Sequence, residues 1–196
     1  TGETVSSALL TIALQSKGIQ ARSYSASQIS MRTTSSFSKA KILDVDENKI
    51  KDVLDEGMIP IITGFQGITE SGDITTLGRG GSDTTAVAIA SKINAKRCDI
   101  YTDVDGIFTA DPKVVPNAKK LDSITMEEML ELASQGAKVM QTRAVEFANK
   151  YKVPVKVLSS FNESSGTLIS LEEKSMENAL VSGIAYQKDQ IKYTLH

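Results

Sequence analysis

Tryptophan is absent from these 196 residues, cysteine occurs once (Cys98), and the single histidine, His196, is the last residue. One thiol cannot close an internal disulfide and suits a reducing compartment, so a cytoplasmic location is expected. With no histidine inside the chain, a histidine-dependent nucleophilic triad and an imidazole-built zinc site are excluded as designs. No stretch approaches the ~20 apolar residues that span a bilayer, and no basic segment followed by an apolar one suggests export. Lys and Arg number 22 against 24 Asp and Glu, for a net charge of −2. That balance gives no electrostatic case for nucleic acid or an anionic membrane as partner. The chemistry is left to Lys, Arg, Asp, Glu, Ser, Thr and the backbone.

What is present is ordinary for a soluble domain: 40% hydrophobic and 23% charged residues, enough for one sizeable core. Apolar residues recur at helical spacing over Thr1–Ser16 (Val5, Ala8, Leu9, Ile12, Ala13), and Ile19–Ser23 reads as a short strand. The polar segment Ser25–Lys39 reads equally as a lid or a surface loop. Glu47–Glu56 is a helix with Ile50, Val53 and Leu54 turned inward, and Met58–Thr63 (MIPIIT) is an apolar run suited to a strand buried on both faces. Helices follow at Asp83–Ile93, Thr125–Ser134 and Lys138–Lys150, with strands at Arg97–Thr102, Val153–Leu158 and Thr167–Leu171. This alternation predicts an α/β fold, a three-layer sandwich around a mostly parallel sheet. Residues 172–178 read as a linker, and Ala179–Tyr186 and Gln190–Leu195 as two further strands.

The chain is organised around Thr76–Thr85, TLGRGGSDTT. Gly80 and Gly81 let the backbone bend sharply and approach a ligand closely. Ser82 is the candidate N-cap of the following helix, with Asp83 in its first turn. Free N–H groups at such a helix start attract anions, and Arg79 adds a forked cation suited to carboxylate or phosphate. A glycine turn before a helix needs neither charge. An arginine and an aspartate four residues apart instead suit both poles of a zwitterion.

Three segments, GFQGITESGDITTLGRGGSDTTA (Gly64–Ala86), YTDVDGIFTADPKVV (Tyr101–Val115) and GAKVMQTRAVEFA (Gly136–Ala148), together with TGETVSS (Thr1–Ser7), resemble the aspartate kinases of the amino-acid kinase superfamily. The resemblance runs almost end to end. It implies the fold of that superfamily, similar to carbamate kinase, and transfer of phosphate from ATP, with Mg2+ held mainly by phosphates, to the side-chain carboxylate of L-aspartate. By residue, it implies that Glu3, Arg79 and Asp83 bind aspartate, Arg79 its α-carboxylate and Asp83 its ammonium group. It implies nucleotide contacts from Gly80, Gly81, Ser82, Thr102, Asp103, Phe108, Lys113, Lys138 and Val139. A solvated turn lysine remains an equal reading of Lys113. Lys138 is placed at a helix start, where a cation opposes the dipole and a nearby phosphate would account for it.

Two departures from the family pattern qualify the expectation. The Lys-Phe-Gly-Gly segment whose lysine contacts the phosphates is absent, and so is most of the C-terminal regulatory ACT region through which family members dimerise. Residues 1–171 are therefore expected to be a truncated catalytic domain with little activity alone, and 179–196 the start of an ACT domain. Competing readings are a kinase of the same fold acting on glutamate, acetylglutamate, carbamate or UMP, and a non-catalytic fragment that binds nucleotide or amino acid. A dinucleotide-binding dehydrogenase is disfavoured, because no G-x-G-x-x-G opens a helix after a strand.

Overall fold

A computed structural model describes residues 2–136, 139–171 and 183–186. The chain divides into two compact units, one holding the residues up to Cys98 with Lys150–Val153, the other holding Asp99–Asn149 and the residues from Pro154 onward.

The first unit begins with helix α1 (Gly2–Ser16), then strands β1 (Ala21–Tyr24), β2 (Arg32–Thr33) and β3 (Ile42–Asp44), helix α2 (Glu47–Asp55), strands β4 (Ile59–Ile62), β5 (Gln66–Ile68) and β6 (Ile74–Thr76), and helix α3 (Gly81–Lys92). Strands β1 and β4 pair in parallel from Ala21–Ile59 to Tyr24–Ile62. A second sheet runs β3-β2-β5-β6, parallel between β2 and β5 and antiparallel elsewhere. A core cluster of Ala26, Ile29, Met31, Val45 and Ile50 lies in this unit.

Four expectations are corrected here. Segment 25–39 is neither lid nor plain surface loop, since Ile29 and Met31 are fully buried and β2 joins the second sheet. β4 is not buried on both faces: it has only β1 as a strand neighbour among the described residues, and Ile59 is exposed. Leu54 is also exposed, leaving Ile50 and Val53 as the inward face of α2. Helix α1 is inverted, with Ser7 and Thr11 buried while Val5, Leu9 and Ile12 are 55%, 61% and 61% exposed. The buried hydroxyls tolerate this because both are satisfied: Ser7 bonds Thr4 O and Thr63, and Thr11 donates to Ser7 O.

The second unit takes strand β7 (Cys98–Thr102), whose first residue belongs to the first unit, then β8 (Ser123–Thr125) and helices α4 (Met126–Ser134) and α5 (Thr142–Tyr151), followed by β9 (Val155–Ser159) and β10 (Thr167–Ser170). Its sheet order is β7-β9-β10-β8, with β8 and β10 parallel and β9 and β10 antiparallel. A capping box starts α4, Thr125 accepting from Glu128 N–H while the Glu128 carboxylate accepts from Thr125 N–H. Met126 and Met129 are fully buried, so these methionines are core. α5 begins at Thr142 rather than at residue 138, which removes the helix-dipole argument for Lys138. Of the two tail strands, only 183–186 falls among the described residues, and it is in no strand; Ile184 N–H donates to Thr109 O at 2.8 Å.

Candidate functional site

The predicted amino-acid residues Glu3, Arg79 and Asp83 all lie in the first unit. The chain leaves β4 through Thr63, whose N–H donates to Tyr24 O at 2.8 Å, extending the parallel pairing. Thr63 Oγ1 meets Ser7 Oγ at 3.0 Å in a buried contact. That contact fixes the first turns of α1, and so the helix start carrying Glu3, against the end of the strand. Glu3, Ser6, Ser7, Leu10, Ile61 and Ile62 line a cavity of about 390 Å³ there.

Gly64 follows Thr63, and the space beside its Cα opens on Ser82, 3.5 Å from where a Cβ would lie. Phe65 comes next with φ 68°, a left-handed conformation that bulky residues rarely adopt. Its N–H donates to Thr85 Oγ1 at 3.1 Å and its carbonyl accepts from Leu77 N–H at 2.9 Å. The loop after Gly64 and the loop before α3 are thereby joined.

In the second loop Gly78 and Gly80 both take positive φ, 79° and 70°. α3 starts at Gly81, and its N-cap is Gly80 with no side-chain cap bond. This corrects the predicted cap: Ser82 is one residue inside the helix and exposed. A left-handed backbone is needed at the cap position, and glycine supplies it where serine would be strained. Gly81 is required by packing, since a Cβ there would stand 2.8 Å from Phe65 Cδ2 and 2.9 Å from Leu77 Cβ. The N–H groups of the first turn, Ser82 and Asp83 among them, have no intrahelical carbonyl to meet.

Arg79 is exposed, and among the described residues no ion pair ties it to Asp83 or to any other acid. Asp83 is half-buried, and burial alone pushes its carboxyl above the ordinary carboxylate value. Such a group gains from a cationic ligand group, which would offset the desolvation. One helix start thus presents an unpaired guanidinium, an unpaired carboxylate and free N–H donors, a set that can take both poles of an amino acid or an anion.

The predicted nucleotide residues outside that helix fall in the second unit. Thr102 ends β7, with its hydroxyl donating to Asp103 Oδ1 at 3.1 Å and its carbonyl accepting from Ser160 N–H at 2.8 Å. The turn after Asp103 is pinned by neighbouring segments. Asn162 Nδ2 donates to Asp105 Oδ1 at 2.7 Å, and Thr167 Oγ1 accepts from Ile107 N–H at 2.9 Å. A Cβ on Gly106, φ 141°, would meet Thr167 Oγ1 at 2.5 Å. Phe108 is half-buried and bridges to Lys120. Lys113 is exposed in a turn closed by its own N–H to Asp111 Oδ1 at 2.9 Å. Val139 is half-buried ahead of α5, and Lys138 lies outside the described residues. Thr102, Asp103 and Phe108 therefore share one braced segment, with Lys113 in the turn beyond it. Sequence reasoning missed the braces Phe65, Thr85, Asn162 and Thr167, whose roles come from partners distant in sequence.

The family model "Amino acid kinase family" matches residues 1–159, and the chain belongs to that family. Among its relatives, the aspartate kinase of Pseudomonas putida is 56% identical over the whole chain and 48% of its own length. The aspartokinase of Pseudomonas aeruginosa is 54% identical, again over 100% of this chain and 48% of its own length. Aspartokinase III of E. coli, solved with aspartate and ADP, superposes with a TM-score of 0.76 at 36% identity, over 88% of this chain and 40% of that one. A UMP kinase from Bacillus anthracis superposes at 0.61 with 22% identity, over 87% of this chain and 66% of that one, sharing the fold. The chain spans about half the length of the curated relatives it matches.

Proposed function

We propose that the complete protein is an aspartate kinase, transferring the γ-phosphoryl group of ATP to the side-chain carboxylate of L-aspartate and giving 4-phospho-L-aspartate and ADP. The observation that carries this reading is the helix start of α3, where an unpaired Arg79 and a half-buried, unpaired Asp83 stand four residues apart. Arg79 takes the α-carboxylate of aspartate, and Asp83, with Glu3, takes its ammonium group. The ammonium neutralises Asp83, which is why an isolated carboxylate is kept there. The substrate's other carboxylate attacks phosphorus as the bond to ADP breaks. Being ionised at neutral pH, it needs no general base, consistent with a chain whose only histidine is its last residue.

The Ser82 N–H donates to a phosphate oxygen at the positive end of α3, and Gly80 and Gly81, whose own N–H already meets Gly78 O at 2.9 Å, let the phosphate approach the backbone closely. The segment Thr102–Asp103, Phe108, Lys113, Lys138 and Val139 hold the nucleotide. Among the described residues no three carboxylate, histidine or cysteine side chains stand together. A magnesium ion would be held mainly by the phosphate oxygens and water. When bound, such an ion would neutralise charge on the transferring phosphoryl group. Residues 1–171 form part of the catalytic domain, 172–178 a linker and 179–196 the start of an ACT domain through which the complete protein oligomerises, in the cytoplasm. Among the described residues no helix is long and apolar enough to cross a membrane.

The test is ADP release by the complete protein with L-aspartate, L-glutamate, N-acetylglutamate and UMP as acceptors. Turnover confined to aspartate supports the assignment, and preference for another acceptor overturns it. The 196-residue chain assayed alongside is expected to give little or no turnover.

A further inference from the structure

We infer that the buried hydroxyl of Thr85 is a positioning residue for amino-acid binding, locking the Phe65 loop onto the first turn of α3 and so fixing where Arg79, Ser82 and Asp83 stand. The inference rests on the reading that this helix start takes aspartate. Thr85 is 3% exposed and lies one turn inside α3. Its hydroxyl proton is committed to Gly81 O at 2.9 Å. The oxygen is therefore left as an acceptor, and it receives Phe65 N–H at 3.1 Å. Thr84 makes the first of these bonds, to Gly80 O at 3.0 Å, and no cross-loop one. The second bond is what distinguishes Thr85 from an ordinary back-bonded helix threonine.

Phe65 needs that hold. At φ 68° a phenylalanine relaxes toward the extended region unless its surroundings prevent it. Three contacts prevent it: the bond to Thr85, the bond from Leu77 N–H to Phe65 O at 2.9 Å, and the ring lying against Gly81. Without the first, Phe65 can swing. Gly64, which faces Ser82, moves with it, and the first turn of α3 loses the wall that sets its position. None of this requires Thr85 to touch a ligand. Its effect on aspartate is transmitted through Phe65 and Gly81.

The experiment compares Thr85→Val, Thr85→Ser and Arg79→Ala in the complete protein, measuring kcat, KM for aspartate, KM for ATP and the unfolding midpoint. Thr85→Val is expected to raise the aspartate KM about tenfold, the ratio carried by one lost buried hydrogen bond, with a smaller rise in the ATP KM through the displaced Ser82 and kcat within about twofold of the parent. Thr85→Ser, which keeps the acceptor, restores the parent aspartate KM. A folded Thr85→Val with unchanged aspartate KM, or a serine variant as impaired as the valine, overturns the inference while a weakened Arg79→Ala leaves the reading of the site standing. An Arg79→Ala with normal aspartate KM overturns both. If Thr85→Val does not fold, Thr85→Ala carries the same comparison.

Discussion

Ser7 Oγ and Thr63 Oγ1 lie 3.0 Å apart, buried, and 56 residues apart in sequence. Ser7 donates its proton to Thr4 O at 3.0 Å, so Thr63 is the donor of the pair. Thr63→Val removes that donor at nearly constant shape, and Ser7→Ala removes the acceptor. In urea unfolding, each single change is expected to cost about 1 kcal/mol, and the double variant less than the sum of the two. Strict additivity would mean that this bond does not join α1 to the end of β4.

Gly81→Ala tests the crowding around the start of α3. A Cβ there would lie at 2.8 Å from a ring carbon and 2.9 Å from a leucine Cβ, neither of them the loose end of a flexible side chain. The substitution would otherwise favour a helix, since alanine outranks glycine by about 1 kcal/mol in helix interiors. Overpacking is expected to win, for a net loss of about 1–3 kcal/mol in the denaturation midpoint analysis. Stabilisation by this alanine would show that Phe65 and Leu77 move aside freely. Gly18 is the contrasting case: it has no neighbour within 4 Å, so only its φ of 77° would resist a side chain.

The glycine loop was legible because its charges were surplus to a turn. An arginine and an aspartate four residues apart stood out against the glycines, and among the described residues neither has an ion-pair partner. The cap was misread because the rule favouring serine at N-caps assumes an extended residue. Here the loop enters the helix through a left-handed one, and only the path of the chain from Gly78 dictates that. Periodicity located α1 but gave the wrong inside face, because hydroxyls with partners can be buried, Ser7 against Thr63 and Thr11 on Ser7 O, and the pattern carries no record of the pairing. Phe65 gave no signal at all: its strained φ is imposed by Thr85 and Leu77. The alternation of strands and helices, by contrast, was readable locally, since each element carries its own spacing and stop.

Asp44 provides a pH-dependent contribution away from the site. Lys92 at 2.6 Å and Arg32 at 2.9 Å hold its carboxyl at about 2, below the ordinary 3.8. A lowered folded-state pKa adds stability that is present above 3.8 and disappears as the pH falls toward 2. The side chains are mostly in water, so screening limits the effect to about 0.2–1 kcal/mol. Asp44→Asn should therefore unfold slightly more easily than the parent at pH 7, and the two unfolding curves should converge by pH 2. The gap at pH 7 should also narrow in high salt. A gap that persists at low pH would assign the loss to packing instead.

Asp83 has the opposite sign. Burial raises its carboxyl above 3.8 with no cation beside it. The folded state therefore holds this proton more tightly than the unfolded chain, and ionising the group as pH rises from 3.8 through the raised value weakens the fold. Asp83→Asn removes the charge while keeping the shape. At pH 7 it should raise the unfolding midpoint, with the advantage disappearing below pH 3.8, where the parent carboxyl is protonated in both states. The same change removes the partner for a substrate ammonium group. In the complete protein it should weaken aspartate binding by tenfold or more, roughly what loss of a charged hydrogen bond costs, while nucleotide binding holds. Stability gained as affinity is lost identifies a residue retained for its ligand. If Asp83→Asn instead lowered the midpoint at pH 7, the carboxylate would have to be stabilising the start of α3, and its assignment to the ammonium group would lose its physical basis.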